Sequence, residues 1–242
     1  MARTKPLFAL ALETSARTGS VALGKDDRLL QTRDLATPRR HHVELMPAVD
    51  ALCHEQRIAP NDLSHLYVAI GPGSFTGLRI AAASAQILAF VLDLQLVAVP
   101  SIDTIAANVT PDVLPAPHAA LAVVLNVKAD TSYCGVYRRT PDALQWASVL
   151  PAALRSTADL LQHAPRPLAI LGDPLPDALA AAIERESDLH RLDAALARPH
   201  AQQVFHLGRA MALRHEFTAP DALLPLYARE PEAVTLWRQR HG

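Results

Sequence analysis

The sequence predicts an α/β protein built in two halves, and three observations carry that expectation. Strand-like and helix-like runs alternate after an opening meander of three short strands. An apolar run, Leu66 to Ile70, enters a glycine-rich turn that leads into a long alanine-rich run, Ile80 to Leu92. A proline-rich segment, Pro111 to Pro117, then separates two stretches of comparable length, 1–110 and 111–242.

Taken in order, Leu7 to Leu12, Ser20 to Leu23 and Arg28 to Leu35 read as three strands, with Gly19 and Gly24 to Asp27 in their turns. Val43 to Gln56 reads as the first helix, with Leu45, Val49 and Leu52 on one face and Pro47 as a start or a kink. Asn61 or Asp62 caps a short turn before the strand at Leu66. The second helix, Thr76 to Leu92, is apolar almost all round. Leu96 to Val99 is a strand, and Ser101 caps a helix from Ile102 to Asn108. A βββαβαβ order of this kind is that of a ribonuclease-H-like half. Beyond the hinge, Ala119 to Val127 and Tyr133 to Arg138 pair as strands, and Leu144 to Leu150 adds a third. Arg155 to His163 and Asp177 to Glu186 are helices around a strand at Leu168 to Leu171. Gln202 to His215 is amphipathic, and Leu223 to Arg240 is mixed with a basic end.

Composition narrows the functions available. Half of the 242 residues are apolar, enough for a sizeable core. A formal net charge of -1 gives no global attraction to nucleic acid or anionic membrane, and aromatics at 5% make a stacking platform for RNA a poor expectation. The two cysteines, Cys53 and Cys134, have no metal-type spacing and read as reduced thiols. Arg3 and Lys5 precede an apolar run too short for a signal peptide. The Ala81 to Leu92 run is interrupted by Ser84, Gln86 and Asp93, so no membrane-spanning segment is expected and the protein reads as cytoplasmic.

The turn Gly71-Pro72-Gly73-Ser74-Phe75-Thr76-Gly77-Leu78-Arg79 is the stretch most open to chemistry. Its amides and the following helix dipole would suit an anion. The glycines fall at the wrong spacing for a nucleophile elbow, and Leu78-Arg79 stand where a Walker loop needs Lys-Ser or Lys-Thr. A plain strand-to-helix corner, with Ser74 or Thr76 as cap, remains the other reading. His41, His42 and Glu44 lack metal-ligand spacing and suit a solvated helix start. Ala81, Ala85 and Ala89 form a smooth stripe that fits either packing on the protein's own sheet or close approach of a foreign helix.

The runs Ala69 to Phe90 and Leu96 to Asn108, with Leu7 to Leu23 before and Leu224 to Val234 after, resemble the bacterial TsaB (YeaZ) family in the same order. The resemblance implies two ribonuclease-H-like halves of the actin, hexokinase and Hsp70 superfamily, the tail returning to the first half. It also implies a role in making N6-threonylcarbamoyladenosine at position 37 of tRNAs that read ANN codons. There TsaC makes threonylcarbamoyl-AMP, TsaD transfers the carbamoyl group, and the ATPase TsaE joins TsaB and TsaD. That family pairs with TsaD, or with itself, through its first two helices. On this basis Leu45, Val49, Leu52, Ala81, Ala85, Leu88 and Ala89 are expected to form the interface, with the Gly71 to Gly77 turn setting the angle of the second helix.

The resemblance also marks absences. The first hairpin carries Glu13 where the family usually has Asp, and no glycine lies beside Thr14. Asn126-Val127-Lys128 stand where TsaB chains often show Asp-Ala-Arg, and the adenosine-side glycine pair is reduced to Gly172. The metal-binding histidine pair of TsaD falls at Ile102 and Ala106, which have no lone pair to offer. Cys134 reads as core, Asp159, Asp173 and Asp177 as caps and turns, and Arg229, Arg238 and Arg240 as a solvated basic end. No catalytic residue, metal or cofactor is therefore expected, and contact with tRNA is expected only through the complex. The rivals are an autonomous ATPase or kinase of the same fold, a peptidase, and a regulatory homodimer.

Overall fold

The structure is a computed structural model and describes residues 6–36, 40–114, 116, 119–140, 146–229 and 237. The first sheet takes β1 (Phe8–Glu13), β2 (Ser20–Lys25), β3 (Arg28–Asp34), β4 (Leu63–Gly71) and β5 (Gln95–Pro100) in the order β3-β2-β1-β4-β5. The first three strands are antiparallel, while β4 and β5 run parallel to β1. The two parallel crossovers are made by α1 (His41–Glu55) and α2 (Phe75–Leu92). After α3 (Ser101–Ala106) come β6 (Ala120–Lys128), β7 (Thr131–Arg139), β8 (Trp146–Ser156), α4 (Thr157–His163), β9 (Leu168–Leu171), α5 (Asp177–Arg185) and β10 (Leu189–Arg191). Their sheet order, β10-β9-β6-β7-β8, read from the other edge repeats the first: third, second, first, fourth, fifth. Two ribonuclease-H-like sheets in one chain are the architecture of the actin, hexokinase and Hsp70 superfamily.

The central strand β1 is apolar on both faces because both faces are covered. Leu10 and Leu12 join Leu45, Leu52, Ala81 and Ala85 beneath α1 and α2. Ala9 and Ala11 meet Tyr67, Val204 and Phe205 beneath α6 (Ala201–Leu213). A Cβ at Gly208 would stand 2.4 Å from the Tyr67 ring, so glycine lets α6 lie flat on the sheet. The chain thus returns to the first sheet after residue 200. Thr218 N–H donates to the Leu96 carbonyl (2.8 Å), Leu226 N–H donates to that of Ile70 (2.7 Å), and Leu223 is buried in the first core.

Four features differ from the sequence reading. The helix after β5 starts at Ser101 with Pro100 at its N-cap position, and Ser101 is no cap; its Oγ accepts from Gly71 N–H (3.1 Å), tying β4 to α3. The third strand of the second sheet runs on to Ser156 where a helix was expected from Arg155. It is an edge strand, and Pro151 falls where its register shifts, so the missing donor costs no ladder bond. The three-residue β10 is too short to leave a periodic signal. Finally, α2 has 18 residues of mean hydropathy 1.6 and is, by length and composition, long enough to cross a membrane. It lies along the first sheet with Leu78, Ala81, Ala85 and Ala89 buried.

Candidate functional site: a sealed hairpin, a cleft and an apolar helix face

Residues 14–19 link β1 to β2, and the Gly71 to Gly77 turn is clamped onto that loop. Ser74 N–H donates to the Ser15 carbonyl (2.7 Å), and the Thr14 hydroxyl donates to the Gly77 carbonyl (2.7 Å). Ser74 is the N-cap of α2, its Oγ accepting from Gly77 N–H (3.3 Å); Thr76 is exposed. The glycines serve this contact. A Cβ at Gly77 would lie 1.9 Å from the Thr14 carbonyl and one at Gly73 2.4 Å from that of Ser15. Gly71 sits at φ +107°, where a side chain would also strike the Leu226 carbonyl at 2.4 Å. Pro72 is buried between them.

Glu13 explains what the loop does with its own donors. Its carboxylate accepts from the N–H groups of Ser15 and Ala16. The side chain is fully buried and its second oxygen has no partner among the described residues. Burial pushes the carboxyl up to about 7, against the pull of those hydrogen bonds. On the other side of the loop, His41 at the start of α1 is buried and donates from Nε2 to the Ala16 carbonyl (3.1 Å). One loop therefore holds the N-termini of both α1 and α2.

A cleft of about 950 Å³ opens between the two sheets, lined by Ser15 and Ala16 of the first hairpin, Leu125 to Val127 of the second, and the tail at Tyr227 to Arg229. At its rim Phe75 and Tyr227 pack with ring centres 4.9 Å apart. The Arg79 guanidinium lies 3.9 Å from the Phe75 ring centre and donates to the Tyr227 hydroxyl (3.3 Å), so the tail is fastened across the turn. Asp173 stands at the rim, 3.9 Å from Arg191. Gly172 serves packing, a Cβ there falling 2.3 Å from the Val124 carbonyl. Ile102 and Ala106 are core residues between α3 and β6. Cys53 and Cys134 are buried thiols whose pKa values burial raises. Arg238 and Arg240 lie outside the described residues.

The helix face needs a correction. Leu45, Val49, Leu52, Ala81, Ala85 and Ala89 are at most 6% exposed, packed under their own helices in the first core. They cannot meet a second protein while the chain is folded; Leu88 alone of the seven is partly open. The exposed apolar side chains lie on the outer sides of the same helices: Val43 and Met46 on α1, Ile87, Phe90 and Val91 on α2, with Phe90 85% exposed. The alanine stripe marks the inside because small residues let α2 settle close to the strands. The sequence signal for the outside is the chargeless run from Ile80 to Leu92, whose bulky residues have nowhere inside to go.

Fold and site together define an α/β protein of two like-ordered sheets with a sealed first hairpin and exposed apolar side chains on its first two helices. A family model for "TsaD: tRNA N6-adenosine threonylcarbamoyltransferase" matches residues 35–237. The tRNA threonylcarbamoyladenosine biosynthesis protein TsaB of Bacillus subtilis is 29% identical over 94% of this chain and 96% of its own length. TsaB of Haemophilus influenzae is 35% identical over 41% of this chain and 42% of its length. Among solved structures, a Pseudomonas aeruginosa protein described as similar to peptidase YeaZ superposes with a TM-score of 0.71 at 27% identity, covering 92% of this chain and all of that one. YeaZ of Pseudomonas aeruginosa gives 0.69 at 26%, covering 91% and 99%. The chain belongs to the threonylcarbamoyltransferase family of that model, and within it to the TsaB (YeaZ) type.

Proposed function

We propose that this chain is the non-catalytic subunit that pairs with TsaD and supports threonylcarbamoyl transfer to N6 of adenosine 37 in tRNAs reading ANN codons. The observation that carries the reading is the outer face of α1 and α2, where Val43, Met46, Ile87, Phe90 and Val91 stand open to solvent. Three large apolar side chains exposed within five residues at the C-terminal end of α2, Ile87, Phe90 and Val91, suit a docking surface. Residues 1–110 would supply this face and residues 111–242 the second half, with the helix and tail after residue 200 bracing the first sheet. The clamped turn at Gly71 to Gly77 would fix the direction of α2, so that TsaD meets a rigid surface. TsaE would join the assembled pair, tRNA would be reached through the complex, and the setting would be the cytoplasm. A second copy of this chain would compete for the same face.

The sealed hairpin supports the non-catalytic part of the reading. The Ser15 and Ala16 amides already serve the Glu13 carboxylate, so neither is free to receive a phosphate entering the cleft. The test is a reconstitution from purified TsaC, TsaD, TsaE, tRNA, ATP and threonine, with this chain included or withheld. Modified tRNA should form only in its presence, and the chain alone with Mg-ATP should show no turnover. ATP hydrolysis by the isolated chain, or full modification without it, would overturn the proposal.

A further inference from the structure

The short helix α3 lines two hollows. Ile105 faces the large cleft, whereas Asp103 faces a separate recess of about 160 Å³ that also meets Tyr137, Trp146, Leu207, Met211 and Arg214. That volume holds about five non-hydrogen atoms, judged by the roughly 30 Å³ each water takes in the liquid.

The carboxylate at the recess is held by a hydroxyl, while the guanidinium groups near it are engaged elsewhere: Arg139 lies on the Trp146 ring, 4.7 Å from its centre, and donates to the Val109 carbonyl. Asp103 Oδ1 accepts from the Tyr137 hydroxyl (2.7 Å), and no basic side chain among the described residues makes an ion pair with this carboxylate. Arg214 is the one cation in the lining, and it is already engaged by Glu216 through two hydrogen bonds of 2.6 and 3.3 Å. The Tyr137 hydroxyl is held neutral, its pKa raised by burial and by the neighbouring carboxylate, so it donates its proton to Asp103 and adds no charge of its own. Burial also raises the Asp103 carboxyl, the direction that a bound cation would reverse. The remaining walls are apolar or aromatic.

We propose that this recess is a binding site for a small organic ammonium ion with a short alkyl body, Asp103 being its counter-ion and Trp146, Leu207 and Met211 its apolar walls. The site lies where the two halves meet: Met211 belongs to α6 on the first sheet, Tyr137 and Trp146 to the second sheet, and Asp103 to α3, whose Ile102, Ile105 and Ala106 pack against the second. An occupant would therefore brace one sheet against the other. This does not depend on pairing with TsaD.

The chain has two tryptophans, so Trp237→Phe leaves Trp146 as the only indole reporter. The full-length Trp237→Phe protein is titrated with n-butylammonium chloride, with n-butanol and sodium butyrate as controls at matched ionic strength. A saturable change in Trp146 emission is expected with the ammonium ion alone. Asp103→Asn, which keeps an acceptor for Tyr137, should weaken it at least tenfold, and Ala210→Met, which fills the recess from α6, should do the same. Absence of a saturable change, an equal response to butanol, or unchanged affinity in whichever of these variants retains the parent melting temperature would overturn the proposal.

Discussion

At the scale of single residues, Glu13 carries the clearest physical consequence. An unfolded carboxyl releases its proton near 4.5, whereas the folded one keeps it until about 7. Between those values the unfolded state binds fewer protons, so stability is full below the lower value and declines as pH rises through the upper one. The whole difference is about 3 kcal/mol by the usual conversion of pKa into free energy. Glu13→Gln keeps an oxygen for the Ser15 and Ala16 amides and removes the titration. The variant should be more stable than the parent at pH 8, by about 1–3 kcal/mol in denaturant melts, and the gap should close by pH 4.5. Glu13 was legible in the sequence as a departure from the family's Asp. Its fold-back onto the hairpin amides was not, because one methylene of extra reach has no signature in composition or spacing. Ser101 shows the same limit: a serine before a helix suggests a cap, and only the approach of Gly71 reveals its actual partner.

At the scale of elements, strong periodicity was legible and facing was not. The strand at Leu168 to Leu171 and the three-strand opening meander stand where alternation and turn residues put them. The helix α2 defeated a reading of its faces because it carries no charge from Ile80 to Leu92, leaving no polar side to point outward. Residue size is the cue that works there, with alanines inside and Ile87, Phe90 and Val91 outside. The two faces predict opposite behaviour. Ala85 is wholly buried, so Ala85→Arg forces a charge and a long side chain into the first core. It should cost more than about 4 kcal/mol and abolish the cooperative thermal transition of the monomer, with any loss of pairing following from loss of fold.

At the scale of the whole molecule, the wiring repeats while the uses of its two halves diverge. Both sheets have the same order, and the cleft between them persists at about 950 Å³. Yet the first hairpin spends its amides on Glu13, and the tail is fastened across the turn by Arg79 and Tyr227. Phe90 of α2, at 85%, is the most exposed large apolar side chain among the described residues. Element order made the double architecture legible in the sequence; the return of α6 to the first sheet was less so, since an amphipathic helix does not name the sheet it covers. Burial of Phe90 at an interface would contribute about 1.5–3 kcal/mol, and an aspartate in its place would add the cost of a desolvated charge. The most direct measurement is the affinity of the chain for TsaD by sedimentation velocity, parent beside Phe90→Asp, with melting temperatures recorded for both. Pairing weakened at least a hundredfold at an unchanged melting temperature is the predicted result; equal affinity of parent and variant would contradict the account.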